Sequence, residues 1–327
     1  MIVRRATHND VGAIVNLVNE VFGLNRDLEW FTHFHLKNPN GKSILWVAQD
    51  DNGDIVSYRS IVRFKAYYLD HMIQGGQLAD ACTRPDCRGR GIYSRVNAEA
   101  LKDFFTSGGE MAYSFPSPSN YRILVGRFGF QSVADFRQGF CPLSSYPASG
   151  IFQKLAKQAH RAVFLKRMQV DPGVTMVSAA EVMDGLAFST GEGSRLTFDR
   201  SRDFLRWRTS IPGRRYWIAL IDGHNYSIVG EADRRGLSVC TVMAMRSTHK
   251  SAKSSLLAGI QRWADEREYD GVYSWLSHDW STYVRAGFVP APSQTHLVVR
   301  FNDGFPLRQR LGRREEWDLV LLDTDAY

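Results

Sequence analysis

Gln77-Leu78-Ala79-Asp80-Ala81-Cys82-Thr83-Arg84-Pro85-Asp86-Cys87-Arg88-Gly89-Arg90-Gly91-Ile92-Tyr93 runs from a strand through a turn into the start of a helix. Leu78 to Thr83 is short and apolar, Arg84 to Cys87 is the turn, and Arg88 to Gly91 is a glycine-rich step. Ile92, Val96, Ala100, Leu101 and Phe104 then recur at the spacing of one helical face. Two glycines at a strand-to-helix junction let the backbone come close to a ligand with its N–H groups pointing outward. The positive end of the helix dipole lies at the same place, which suits a phosphate or pyrophosphate. Arg84, Arg88, Arg90 and Arg95 crowd around the junction and match a polyanion.

Outward from this junction the pattern stays regular. Thr7 to Asp10 opens a helix whose stripe is Val11, Ile14, Val15, Val18, Val21 and Phe22, and Gly23 ends it. A second helix carries Trp30, Phe31 and Phe34 and stops at Asn38-Pro39-Asn40-Gly41. Ser43 to Gln49 and Ile55 to Tyr68 read as strands joined by the turn Asp51-Asn52-Gly53-Asp54. After the glycine-junction helix come Gly108-Gly109, a strand from Met111 to Phe115, a short helix from Ser119 to Arg127, Gly129-Phe130, and a strand to about Phe136.

Over most of residues 1–140 this order resembles the GNAT superfamily of N-acyltransferases. Arg88-Gly89-Arg90-Gly91-Ile92-Tyr93 is similar to its acetyl-CoA-binding pattern, Gln/Arg-x-x-Gly-x-Gly/Ala, except at Tyr93, whose side chain must turn away from the pyrophosphate. The resemblance implies acetyl-CoA as co-substrate, held at Cys82, Thr83, Arg88, Gly89, Arg90, Gly91, Ile92 and Tyr93. It also implies that Asn120 faces the pantetheine arm, and that the backbone N–H groups of Cys82 and Thr83 hold the developing oxyanion. Asp80 is the one ionisable side chain in the central strand. Two readings stand for it: a general base whose pKa burial raises, or a carboxylate satisfied by backbone or arginine donors. The family's tyrosine acid falls on Val125 here, so Tyr121, one turn earlier, is the acid expected, with Tyr113 second. Cys87 has no histidine at a recognisable spacing and reads as a packed thiol rather than a nucleophile.

The second half repeats the first with changes. Asp203 to Trp207 echoes the aromatic helix, Tyr216 to Asp233 the hairpin, Leu237 to Met245 the central strand, and Leu256, Leu257, Ile260, Trp263 and Ala264 the helix after it. Val272 to Leu276, Tyr283 and Gly287-Phe288 complete the echo. At the junction, however, His249-Lys250-Ser251-Ala252 replaces the glycines, so close approach of a pyrophosphate is not expected there. The expected fold is α+β: two tandem GNAT-like domains, each a mixed, mostly antiparallel twisted sheet flanked by helices. Residues 1–140 form the catalytic unit, 141–172 a linker with a basic amphipathic helix, 173–303 the degenerate copy, and 304–327 a tail. The linker helix is expected to bridge the halves with its charges in water, in preference to lying on a membrane. Residues 1–147 alone are expected to bind acetyl-CoA, and Trp207, Trp275, His278 and Trp280 to help line an acceptor cleft between the copies. The arrangement resembles tandem acetyltransferases encoded with polysaccharide genes and, more distantly, the enhanced intracellular survival family.

Composition sets bounds on this. The chain has 327 residues, 44% hydrophobic and 23% charged, enough for about two soluble domains. No apolar run reaches the ~20 residues of a membrane span, and Met1 to Ala6 lacks a signal-peptide core, so cytoplasm is the expected location. Cys82, Cys87, Cys141 and Cys240 form neither a disulfide framework nor a zinc motif, and no metal is expected. The net charge of +7 is scattered, with no nucleic-acid-binding signature; a CoA site accounts for part of it. The expected activity is direct transfer of an acetyl group to a primary amine of a small molecule, an amino sugar among the candidates. A Fem-type aminoacyl transferase and a non-catalytic acyl-CoA sensor are the alternatives, and the intact glycine junction favours free CoA over aminoacyl-tRNA. The sequence leaves the oligomeric state open.

Overall fold

The computed structural model describes residues 1–147, 173–186, 194–234, 236–276 and 280–323. The linker-helix expectation and His278 fall outside them. β1 (Ile2–Arg5), β2 (Ile44–Gln49), β3 (Ile55–Tyr68) and β4 (His71–Thr83) form an antiparallel run. α1 (Val11–Phe22) packs on it through Val11, Ile14, Val15, Leu17 and Val18 and ends at Gly23 in the left-handed conformation that a helix C-terminus favours. α2 (Leu28–Phe31) continues through a wide turn, Thr32–Leu36, which brings Trp30, Phe31 and Phe34 into the same core. α3 (Ile92–Thr106) covers the opposite face with the predicted stripe. β5 (Met111–Ser114), α4 (Pro118–Phe128) and β6 (Gln131–Pro142) follow, so β6 runs six residues past the predicted end at Phe136.

The second half supplies β7 (Thr175–Ser178), β8 (Thr197–Phe198), α5 (Arg202–Thr209), β9 (Tyr216–Asp222), β10 (Asn225–Arg234), β11 (Leu237–Arg246), α6 (Lys250–Glu266), β12 (Gly271–Trp275), α7 (Trp280–Arg285) and β13 (Val289–Phe301). The strands of both halves form one sheet in the order β1-β2-β3-β4-β5-β13-β6-β12-β11-β10-β9-β7, with β8 paired to β3 off this path. Its ladders are antiparallel except β4–β5 and β11–β12.

The two halves exchange their last strands. Chain order suggests β6 beside β5, but β13 lies there, pairing Val298 with Ser114 and Phe301 with Met111. β6 crosses to the second half and pairs Val272 with Cys141 and Trp275 with Gln138. β6 and β13 also pair with each other. Residues 1–147 therefore lack the strand that completes their own side of the sheet, which argues against their folding alone. Trp207 and Trp275 serve the core rather than a cleft: Trp207 stacks on Phe34 and Trp275 on Phe136, and both are about 5% exposed. Trp280 is 55% exposed.

Candidate active site

The site starts at an irregularity in β4. Ser60 faces Ala79 and Tyr58 faces Cys82, so Asp80 and Ala81 together oppose Arg59 in a bulge. Asp80 takes φ = 41°, a left-handed conformation that costs a non-glycine residue ~1–3 kcal/mol. β4 pairs with β5 from Gly75 through Gln77 and no further, so the two parallel strands part just before the bulge. Beyond that point one edge of β4 is open. The Arg84 N–H donates to the Val56 carbonyl at 2.9 Å, and strand alternation then turns the Thr83 backbone away from β3 into the opening. The Thr83 carbonyl accordingly accepts from Arg88 Nε at 3.2 Å. By the same alternation the Cys82 backbone faces β3, so of the two oxyanion donors expected, the geometry turns Thr83 to the opening and Cys82 away from it.

The glycine step follows. Gly89 and Gly91 have φ of 77° and 72°, with open space where a Cβ would stand, and no side chain caps α3. Among the described residues no protein acceptor meets the N–H groups of Gly89, Arg90, Gly91, Ile92 or Tyr93. Arg88, Arg90 and Arg95 are exposed beside them. Arg84 is engaged elsewhere: it donates to Asp86 and lies near Asp50 and Asp54, so it leaves the expected polyanion set. The Tyr93 side chain does turn from the junction; its hydroxyl donates to Asn120 Oδ1 and accepts from Arg59 Nη2 at 2.6 Å. Asn120, expected to face the pantetheine arm, thus joins α4 to α3 through Tyr93. Arg59 Nε and both amide atoms of Asn97 are buried with no partner among the described residues, polar groups that a ligand's amides or water would satisfy. Uncapped N–H groups, open glycines and exposed arginines at one junction, with orphaned polar atoms on Arg59 and on Asn97 of α3, fit a pyrophosphate-and-pantetheine ligand such as CoA.

On the other face of β4, Asp80 meets the connection between α1 and α2. Its Oδ2 accepts from Arg26 Nη1 at 2.8 Å and lies 3.6 Å from His35 Nε2. Burial pushes the Asp80 carboxyl up, as expected from sequence, but its polar surroundings, with the Arg26 guanidinium as the charged partner, outweigh it and hold it down at about 2. At 3.6 Å the His35 approach is too long for a hydrogen bond, which makes Arg26 the firm partner. The surroundings therefore match the second of the two readings of Asp80, and the expected rise does not occur. Burial keeps the fully enclosed His35 imidazole neutral, and Ser43 Oγ lies 3.1 Å from its Nδ1. Burial first, then the Asp80 charge, push the Cys82 thiol up to about 12, so it stays protonated; Glu20, exposed on the last turn of α1, adds to that rise. Tyr121 rests against His296, ring centroids 5.3 Å apart, while His296 Nδ1 contacts Asp135 Oδ1 at 2.6 Å. Val125 packs beside it. No group of three or more His, Cys, Asp or Glu side chains suited to a metal occurs among the described residues.

Sequence reasoning missed Arg26, His35, Arg59 and Glu20. Arg59 carried a signal: it and Asp80 are charges placed in the centres of two apolar strands that pair. Arg26 and Glu20 carried none: Arg26 lies in the connection between α1 and α2, which has no period to read, and Glu20 lies on the exposed side of α1, where a polar residue is ordinary.

The second half shows the same frame put to another use. β11 is bulged at Met243, and β11 and β12 pair from Val239 to Val242 and then part. The N-terminus of α6 is capped by its own His249, whose Nδ1 accepts from the Ala252 N–H at 3.1 Å. The parting strands border a cavity of ≈180 Å³ lined in part by Leu319, Val320 and Leu321 of the tail. This junction has no glycines, no free helix end and no carboxylate at its bulge.

Residues 2–133 match the acetyltransferase (GNAT) domain family. No curated protein sequence matches the chain. Among solved structures it is similar to a probable N-acyltransferase from Enterococcus faecalis V583, at 12% identity and TM-score 0.63 over 92% of this chain and 72% of that one. It is similar to Eis1 from Mycobacterium abscessus at 11% identity and TM-score 0.58, over 93% and 74% of the two chains. A glucosamine N-acetyltransferase region of a fungal multi-domain GH3 β-N-acetylglucosaminidase gives 12% identity and TM-score 0.55 over 91% of this chain and 38% of that one. At such identities the likeness is one of fold, and it extends over both halves.

Proposed function

We propose that the protein is an acyl-CoA-dependent N-acyltransferase that uses acetyl-CoA at the first junction only and acylates a primary amine of a small molecule by direct transfer. The observation that carries this is the uncapped glycine terminus of α3 beside a bulged, open-edged β4; the second half keeps a bulge and parted strands but has lost the glycine terminus. Acetyl-CoA supplies an acyl group on a thioester whose thiol, with a pKa of ~8.5, is a tolerable leaving group. The N–H groups from Gly89 to Tyr93 and the exposed arginines bind the pyrophosphate. The Thr83 N–H donates to the carbonyl oxygen as charge develops on it. The amine arrives from the α1–α2 side, and loses its proton there.

Asp80 at about 2 is too weak a base to take that proton efficiently near neutral pH, so its part is to fix Arg26 and to set a negative charge beside the reacting centre. Glu20, exposed on that same side, is the proton acceptor we favour. Tyr121 remains the candidate for delivering a proton to the leaving thiolate, and its replacement by phenylalanine tests that role. An amino sugar is the acceptor class we favour, in keeping with what one neighbour of the same fold acts on. Calorimetry with acetyl-CoA followed by thiol release against a panel of amines tests the proposal. Binding without thiol release from any amine would leave an acyl-CoA sensor, and no binding would end both readings.

A further inference from the structure

Between the loop that follows α1 and the far end of the second half's sheet lies a cleft of ≈950 Å³. Its wall on the first half is Leu24; the second half contributes Arg214, Arg215, Arg234 and Arg267, with Glu231 and Asp233. The carboxylates do not cancel this charge. Glu231 is committed to Arg215 at 2.6 Å and also accepts from Trp217 Nε1 at 3.1 Å. Asp233 accepts from the Gly236 N–H at 3.1 Å and stands against three further arginines. Two of these are held by stacking: the guanidinium of Arg234 lies 3.8 Å from the Tyr273 ring and that of Arg267 4.6 Å from the Trp263 ring. Stacking uses the face of a guanidinium, whereas phosphate and carboxylate are recognised by the N–H groups in its plane.

The position of the cleft gives this charge a role. Leu24 precedes Arg26 by two residues, on the order of 7 Å of chain at most. Arg26 grips Asp80 at the β4 bulge. An acceptor long enough to pass Leu24, with its amine at the bulge, would place its other end among the arginines. We propose that this cleft receives an anionic group of the acceptor, so that the acceptor is an amine bearing a phosphate or a carboxylate. The inference rests on the transferase reading above and adds the acceptor's charge to it.

The test compares three amines on the full chain with acetyl-CoA: glucosamine, glucosamine 6-phosphate and a 2-amino-2-deoxyuronic acid. At least one anionic amine should exceed glucosamine about tenfold or more in kcat/KM, and the two anionic arms distinguish phosphate from carboxylate. Arg214→Ala with Arg267→Ala should remove that preference, leaving glucosamine turnover and acetyl-CoA affinity unchanged. Single Arg267→Glu, on an exposed side chain, repeats the test should the double variant fold poorly. Equal kcat/KM for all three amines, turnover of none of them, or a preference that survives the substitutions overturns the proposal. Calorimetry separates the two levels. Loss of acetyl-CoA binding in the parent protein defeats the transferase reading itself, while intact binding without anion preference defeats this inference alone.

Discussion

Arg26→Met removes the partner that keeps Asp80 charged, and the structure gives the size of the effect. The carboxyl lies at about 2 against an ordinary 3.8, and its side chain is only 9% exposed. A difference of nearly two units at ~1.4 kcal/mol per unit makes the whole surroundings of Asp80, burial set against His35 and Arg26 together, worth about 2 kcal/mol at neutral pH. Because the folded pKa is depressed, this stability is present above pH ~4 and is lost as pH falls from there towards 2. In Arg26→Met the buried carboxylate keeps only His35, so its pKa should rise and its charge should destabilise the fold at neutral pH. The expected loss at pH 7 is about 2–4 kcal/mol, or roughly 5 °C in Tm. Thermal melts of parent and variant, followed by circular dichroism from pH 7 to pH 3, should show a gap that narrows towards acid. His35 is lowered in the parent by burial and in part by the Arg26 charge, so the substitution moves its titration upward together with that of Asp80. Adding Asp80→Asn to Arg26→Met should recover part of the loss, since no buried charge then lacks a partner. A gap absent at pH 7, or one that stays constant with pH, would refute the pairing.

Gly91→Glu should abolish acetyl-CoA binding measured by calorimetry, since it forces a side chain and a negative charge into the pyrophosphate position at a φ of 72°. Ser251→Glu, exposed at the matching turn of α6, should leave that affinity unchanged; the neighbouring Ala252 is buried and makes a poorer control. A chain ending at Pro147 should fail to bind acetyl-CoA and should aggregate. It lacks Leu297, Val298, Val299 and Phe301, each buried and each worth ~2 kcal/mol; a soluble fragment that binds acetyl-CoA would contradict the strand exchange. His249→Ala should cost about 1 kcal/mol in urea denaturation through loss of the α6 cap, with no effect on acetyl-CoA affinity.

Local pattern in the sequence carried much of the fold. The 14-residue β3, the α3 stripe and the Gly89–Gly91 step are set by period and by glycine, and both kinds of signal lie within a few residues. The repeat was legible for the same reason, since aromatic helix, hairpin, strand and helix recur in one order. Two classes of feature were out of reach. Strand order is decided by contacts between residues far apart, and nothing within β6 or β13 says which neighbour each will take. The protonation of Asp80 depends on Arg26 and His35, some 50 residues upstream, so the strand could announce a buried carboxylate but not what neutralises it. Tyr93 shows a third case. Its size flagged a departure from the small residue of the pattern, and the structure gives its hydroxyl two partners, Arg59 and Asn120.

The exchanged strands also set a schedule for biosynthesis. β5 leaves the ribosome long before β13, the strand that must lie beside it, and roughly 150 residues separate the end of β6 from the start of β13. At 5–20 residues per second, the first half waits about 10–30 s with one flank of its sheet uncovered. During that interval β5 and β6 offer unpaired edges to any other nascent chain, which is the hazard of an open strand. The ladder beside β5 is finished only when residue 301 has emerged. A chain stalled before β13 has emerged would therefore carry an unfinished sheet beside β5 rather than a working fragment.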